Sequence, residues 1–357
     1  MRYNICFYEM RERNVVEEYE IDYSDINSIM NEIFDDGKSF EDYIGMNISF
    51  QDISTYIFDT IKGEGASLVQ LISKIIIIVV IAAIFINLSK TIKGIQVSET
   101  GFYVAYMLLF IILSVLFTEL FNYCSNKLNT LIEFMQALIP TFFLTVTYAS
   151  GSVVAISFYQ SFLIVVGIID TVLLEIFLPA VNIYFVLAML NPIMYEDMFS
   201  KCVEFVEKLI VWGLKGISFI MCSLSVIQGM IIPAAGNVRK SIVGKGISMI
   251  PGVGNSIGQM YESVYGAGML IKNSVGTAGL IIIIIICLVP VTRLILYSLV
   301  IQTTAVCAQP VSGDTRMTDG ISAAGTACRL LFYIIFTAAV MFVITMAVVI
   351  IATGVGV

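Results

Sequence analysis

The feature that most constrains this chain is a succession of apolar runs, each about as long as a bilayer is thick. Residues 68–88, 101–121, 131–148, 153–169, 171–190, 209–232, 277–301 and 327–351 each read almost without charge. A helix needs about 20 apolar residues to cross a hydrocarbon core of about 30 Å. Backbone in lipid must satisfy its hydrogen bonds within its own segment, which makes each run a helix. Charged residues are only 13% of the chain, against about 25% in a soluble domain. The sequence therefore predicts an all-α, polytopic integral membrane protein with about seven or eight hydrophobic segments, with membrane lipid as its solvent.

Charge is distributed unevenly. Residues 1–67 hold 15 acids and 5 bases, a net of −10, whereas residues 68–357 hold 12 acids and 14 bases, a net of +2. The chain is an acidic cap on a nearly neutral body. It has no basic stripe with interleaved aromatics, so no nucleic-acid partner is expected. Within the cap, Ile26, Ile29, Met30, Ile33 and Phe34 have the spacing of an amphipathic helix, ended by Asp35, Asp36 and Gly37. Ser39 with Asp42 three residues later predicts a capped second helix, and Ile53, Ile57, Phe58 and Ile61 predict a third. The first apolar run starts too late and runs too long for a cleavable signal peptide. Lys74 lies near its start and can snorkel outward. Lys90 and Lys93 follow it, so the positive-inside rule puts that flank in the cytoplasm and the acidic cap outside.

Between the runs the sequence predicts breaks. Asn122–Thr130 reads as a polar link, Pro140 as a kink, and residues 149–152 as a short turn. Asp170, Glu175 and Pro179 gather where the fourth and fifth runs meet. Asn191–Lys208 reads as an interfacial helix and Gln309–Gly320 as a polar connector. The predicted division is a small, helical, acidic N-terminal region (1–67), a first membrane block (68–232), a glycine-rich interfacial or re-entrant segment (233–276) and a last membrane block (277–357).

That glycine-rich segment lies between two long apolar runs without being one. From Pro233 to Gly276 it holds nine glycines, the bases Arg239, Lys240, Lys245 and Lys272, and one acid, Glu262. Ile247 and Ile250, then Ile257, Tyr261, Val264 and Tyr265, predict short amphipathic helices hinged by glycine and Pro251. Irregular backbone cannot face lipid, so this stretch is expected in protein, at the interface, or along a wet cavity. Gly229, Pro233, Gly252, Gly254, Gly258, Lys272 and Asn273 are the candidate hinge or pore residues. Counting alternating spans puts the segment outside, whereas its net charge of +3 argues for inside. A re-entrant hairpin of the third and fourth runs is one way to reconcile the two.

The residues exclude more chemistry than they suggest. Histidine is absent, which removes the commonest general base and zinc ligand together. Seven scattered cysteines form no CxxC pair and read as small hydrophobes. Gly252–Gly258 has the wrong spacing for a dinucleotide fingerprint, and no phosphate loop or GxSxG elbow occurs. No catalytic, cofactor-binding or metal-binding residues are assigned, and no enzyme activity is expected. Three charges stand out as candidate intramembrane sites: Asp170, Glu175 and Arg293. Asp170 and Glu175 would point about 140° apart on a helix; they either face a cavity or mark a wet turn. Arg293 either snorkels or pairs internally, and Glu119 and Glu133 sit at span ends where hydration is cheap.

Several stretches resemble a known family. They are Ile139-Pro140 through Gly151, Ser225–Gly229 into Pro233-Ala234-Ala235, Ile250-Pro251 with Gly252 and Gly254, Leu270–Gly276, and Gly101–Tyr106. Together they resemble the stage III sporulation protein AE family, from about residue 26 onward. The resemblance implies a non-enzymatic, multi-pass protein of the mother-cell membrane surrounding the forespore. It implies membership of a secretion-like channel complex that supports endospore development. Implied partners are other proteins of the same sporulation operon, including an ATPase and ring-forming proteins, and a forespore-side channel protein. Members commonly begin with an apolar leader, whereas this sequence starts Met1-Arg2-Tyr3-Asn4 and is read as having none. The rival reading from the residues is a stand-alone secondary transporter using broken helices and the charges at 170, 175 and 293.

Overall fold

Residue 124 explains the architecture better than any apolar run does. Leu120, Cys124, Leu128, Leu131, Met135 and Leu138 are all buried, and their spacing is one uninterrupted helical stripe. The stripe passes straight through Asn122–Thr130, whose asparagines 122, 126 and 129 are exposed. The expected polar link is therefore helix, and the second and third runs form one rod.

The computed structural model describes residues 23–33, 39–44, 50–91, 95–150, 164–165, 167–194, 198–223, 254–312 and 315–354. No strand occurs among them. The helices are α1 (Ser24–Ile33), α2 (Phe40–Tyr43), α3 (Phe50–Thr91) and α4 (Ile95–Ser150). After them come α5 (Gly167–Ile193), α6 (200–223), α7 (Gly254–Ser312) and α8 (Thr315–Gly354). At 56 and 59 residues, α4 and α7 are about 84 and 88 Å long.

The cap helices form as their sequence predicts. Ile26 and Met30 are fully buried on α1. Ser39 N–H donates to Asp42 Oδ2 at 2.9 Å, the acidic half of a capping box, and Asp42 N–H donates to the Ser39 backbone carbonyl at 3.1 Å. Asn27 Oδ1 accepts the Phe40 N–H at 2.7 Å and ties α1 to α2. The third predicted cap helix is continuous with the first apolar run as α3.

Three other expected breaks are also absent. Asp170 and Glu175 lie within α5 rather than at a turn. Pro179 lacks an N–H for the Glu175 carbonyl, and its ring crowds that oxygen. The helix answers by widening into a π turn, Val172–Phe177, closed by Leu178 N–H on the Leu173 carbonyl. Only residues 313–314 separate α7 from α8 where a longer connector was expected. Finally, α7 begins at Gly254 and runs through Gly258, Gly276 and the six isoleucines without a break. Gly229, Pro233 and Gly252 lie outside the described residues.

Five described helices are long and apolar enough to cross a membrane: Ile61–Ile84, Glu99–Pro140, Gly167–Ile193, Ser274–Ser312 and Thr315–Ala347. The molecule is an all-α membrane protein. The apolar window of α8 is 61% buried, against 33–44% for the others, so α8 is the central helix.

Candidate functional site: a charged girdle at mid-height

Cross-helix contacts fix which residues share a level. At the upper level the Tyr106 hydroxyl donates to the Met189 carbonyl at 2.7 Å. The Arg316 guanidinium sits 3.8 Å over the Phe102 ring, and a Cβ on Gly320 would lie 2.6 Å from the Tyr106 hydroxyl. At the lower level Gln136 meets Asp170 at 3.2 Å, and Leu138 fills the space left by Gly279. Between them Phe117 stacks on Phe185 at 4.0 Å.

That middle level carries the charges. Arg293 Nε lies 3.1 Å from Glu64 Oε1, and its terminal nitrogen 3.1 Å from Glu119 Oε1. The Nε contact is an ion pair without an aligned hydrogen bond. The Tyr297 hydroxyl donates to the other Glu64 oxygen at 3.1 Å, and the guanidinium stacks 4.5 Å over Tyr123. Arg293 thus pairs internally and clamps α3, α4 and α7 together. On the other side of α8, Arg329 meets Glu207 of α6 at 3.2 Å. Tyr184 of α5 lies beside that pair. Further out on α6, Lys208 bonds Glu204 at 2.7 Å; its hydrogen bond and charge hold that exposed carboxyl below the usual glutamate range.

Along α4, Phe102 is about 25 Å above Glu119, and Gln136 about 25 Å below it. The girdle therefore divides the bundle into two apolar tiers. Their combined height of about 50 Å exceeds the hydrocarbon thickness of about 30 Å. Charges in this number are costly at a bilayer centre.

Asp170, Glu175 and Arg293 occupy different places. Asp170 is buried and Glu175 exposed on the same helix, and neither touches Arg293. Lys272 and Asn273 lie on α7, as do Gly254 and Gly258. Glu64, Glu207 and Arg329 escaped the sequence reading. A signal existed for Glu64: it stands four residues before Leu68 on the buried stripe Leu68, Leu71, Ile75, Val79. Among the described residues no group of three or more His, Cys, Asp or Glu is placed to hold a metal.

Comparison with known proteins agrees with the resemblance. The profile of "Stage III sporulation protein AE" matches residues 34–353. A relative of that name from Bacillus subtilis (strain 168) is 21% identical over 268 residues, which is 74% of this chain. The chain spans 65% of that relative's length. No solved structure matches. A match across nearly the whole helical body, on an all-α membrane bundle, establishes that the chain belongs to the stage III sporulation protein AE family.

Proposed function

We propose that this protein is a non-enzymatic, multi-pass component of a secretion-like channel complex in the mother-cell membrane surrounding the forespore. Its partners on this reading are other proteins of the same sporulation operon, including an ATPase and ring-forming proteins, and a forespore-side channel protein. The observation that carries the reading is the girdle. One apolar tier lies in the bilayer, and the other stands outside it. In the tier above the girdle, Val104, Leu108, Ile111 and Val115 are 51–66% exposed and share one face of α4. Below the girdle, Ile164, Ile168 and Phe336 are exposed. Whichever face stands in water is too apolar to remain bare, and protein partners cover it.

The test is single-cysteine labelling with a membrane-impermeant maleimide, at Ile111 and Val115 above the girdle and Ile168 and Phe336 below. The background lacks native cysteines, because Cys202, Cys222 and Cys307 are exposed. Expressed alone, the chain should react in one tier only. In sporulating cells that same tier should become protected. Protection of both tiers in the chain alone, or substrate uptake by the purified chain in liposomes, would overturn the reading in favour of a self-sufficient transporter.

A further inference from the structure

We propose that Asp170 and Gln136 form a proton-binding site between α4 and α5. Asp170 is only 7% exposed. Its Oδ2 accepts one hydrogen bond, from Gln136 Nε2 at 3.2 Å. Its Oδ1 is enclosed and has no partner among the described residues. A carboxylate in this setting has lost its water and regained one neutral hydrogen bond, and the loss is much the larger.

Two ligands can remove that cost: a metal cation or a proton. A metal cation needs several oxygen donors. Among the described residues no cluster of acidic, Cys or His side chains supplies them here. Among the described residues no lysine or arginine side chain reaches Asp170 either, and Gln136 is the one side chain acting on it. On its own helices the nearest charges are Glu133 and Glu175, both exposed. On the helices beside it, α8 carries no charge from 330 to 351, and Lys215 of α6 is exposed. A proton needs a single acceptor, and the bare Oδ1 is that acceptor. Taking H+ from water, it turns the carboxylate into a neutral carboxyl.

The backbone at this point is built to yield. Asp170 is followed directly by Thr171, whose hydroxyl turns back to the Gly167 carbonyl at 2.9 Å, and then by the π turn Val172–Phe177. On the facing helix, Pro140 offers no N–H to the Gln136 carbonyl four residues back. Both helices are therefore loosened within about a turn or two of the carboxyl, and π turns recur at functional positions. Proton loss leaves a charge that needs water, and these turns are where water enters. This holds whichever tier lies in the bilayer, so it stands or falls separately from the proposed complex.

The test uses the full chain in membrane vesicles and dicyclohexylcarbodiimide, an apolar reagent that reacts with protonated, buried carboxyls. Peptide mapping should place the adduct on Asp170. Labelling should fall about tenfold per pH unit above its midpoint, as for one titrating carboxyl. Asp170→Asn should remove the adduct. Gln136→Leu, which deletes the one hydrogen bond to the ionised form, should let labelling persist to higher pH. Should Asp170→Asn fail to fold, mapping on the unmodified chain decides alone. Absence of an adduct on Asp170 at every pH, or labelling indifferent to pH, would overturn the proposal.

Discussion

Replacing Arg293 with methionine removes the residue that joins three helices, and the structure says what that should cost. The side chains of Arg293 and Glu64 are each 20% exposed, while that of Glu119 is 62% exposed. Breaking a buried ion pair by deleting one partner costs about 3–5 kcal/mol, because the other charge is stranded. With a fifth of each group still hydrated, the lower end applies, about 3 kcal/mol. Glu119→Gln removes a screened, exposed contact and should cost about 0.5 kcal/mol. The informative variant combines Arg293→Met with Glu64→Leu. No charge is stranded there, and the main loss is the acceptor of the Tyr297 hydroxyl, about 1 kcal/mol. Unfolding of the purified chain in mixed micelles, titrated with a denaturing detergent, measures all three. The double variant should be more stable than the single Arg293 variant, a coupling that only groups in contact show. The reasoning is refuted if the two substitutions add, or if Glu119→Gln costs as much as Arg293→Met.

Three further outcomes follow from particular contacts. Gly325→Val should cost about 2 kcal/mol in the same assay, because its Cβ would meet Gln302 Cγ at 2.8 Å and the Gln302 backbone nitrogen at 3.3 Å. Gly279→Ala should cost less, since its Cβ meets only the flexible Leu138 side chain, at 2.6 Å. Asp42→Ala removes the acceptor of the Ser39 N–H and hydroxyl; it should destabilise α2 by about 1 kcal/mol, read as faster amide exchange in that helix alone.

What the sequence made legible was local. The amphipathic spacing of Ile26 and Met30, the Ser39–Asp42 cap and the bilayer-length runs each depend on neighbours a few residues apart. What it hid was continuity. A break was expected wherever polar residues clustered, yet Asn122–Thr130 stays helical because Cys124 and Leu128 keep the buried stripe in phase. Polarity on the outward face of a helix does not end it. The site was half legible for the same reason. Arg293 announces itself as a charge inside an apolar run, but its partners are 229 and 174 residues away in sequence, and nothing in local patterning links them. Arg329 was hidden by lying at the start of a run, where hydration is the natural assumption. Pro179 signalled a disturbance, and the disturbance took the form of a π turn rather than a break.

Continuity also bears on the two opposed readings of which side the basic segment faces. The rods run up along α3, down α4, up α5 and down α6, as the paired levels require: Phe102 with Arg316, Phe117 with Phe185, Gln136 with Asp170, and Gly213 against Phe177. Residues 223 and 254, where α6 ends and α7 begins, therefore lie at the end of the bundle opposite Thr91 and Ile95. Merging the second run with the third makes α4 a single rod. In sequence, Lys90 and Lys93 fall beside Thr91 and Ile95, and Arg239, Lys240 and Lys245 fall between residues 223 and 254. The positive-inside rule describes the translocation of short loops, and it cannot be satisfied at both ends of one bundle. One cluster has to be placed by something other than that rule.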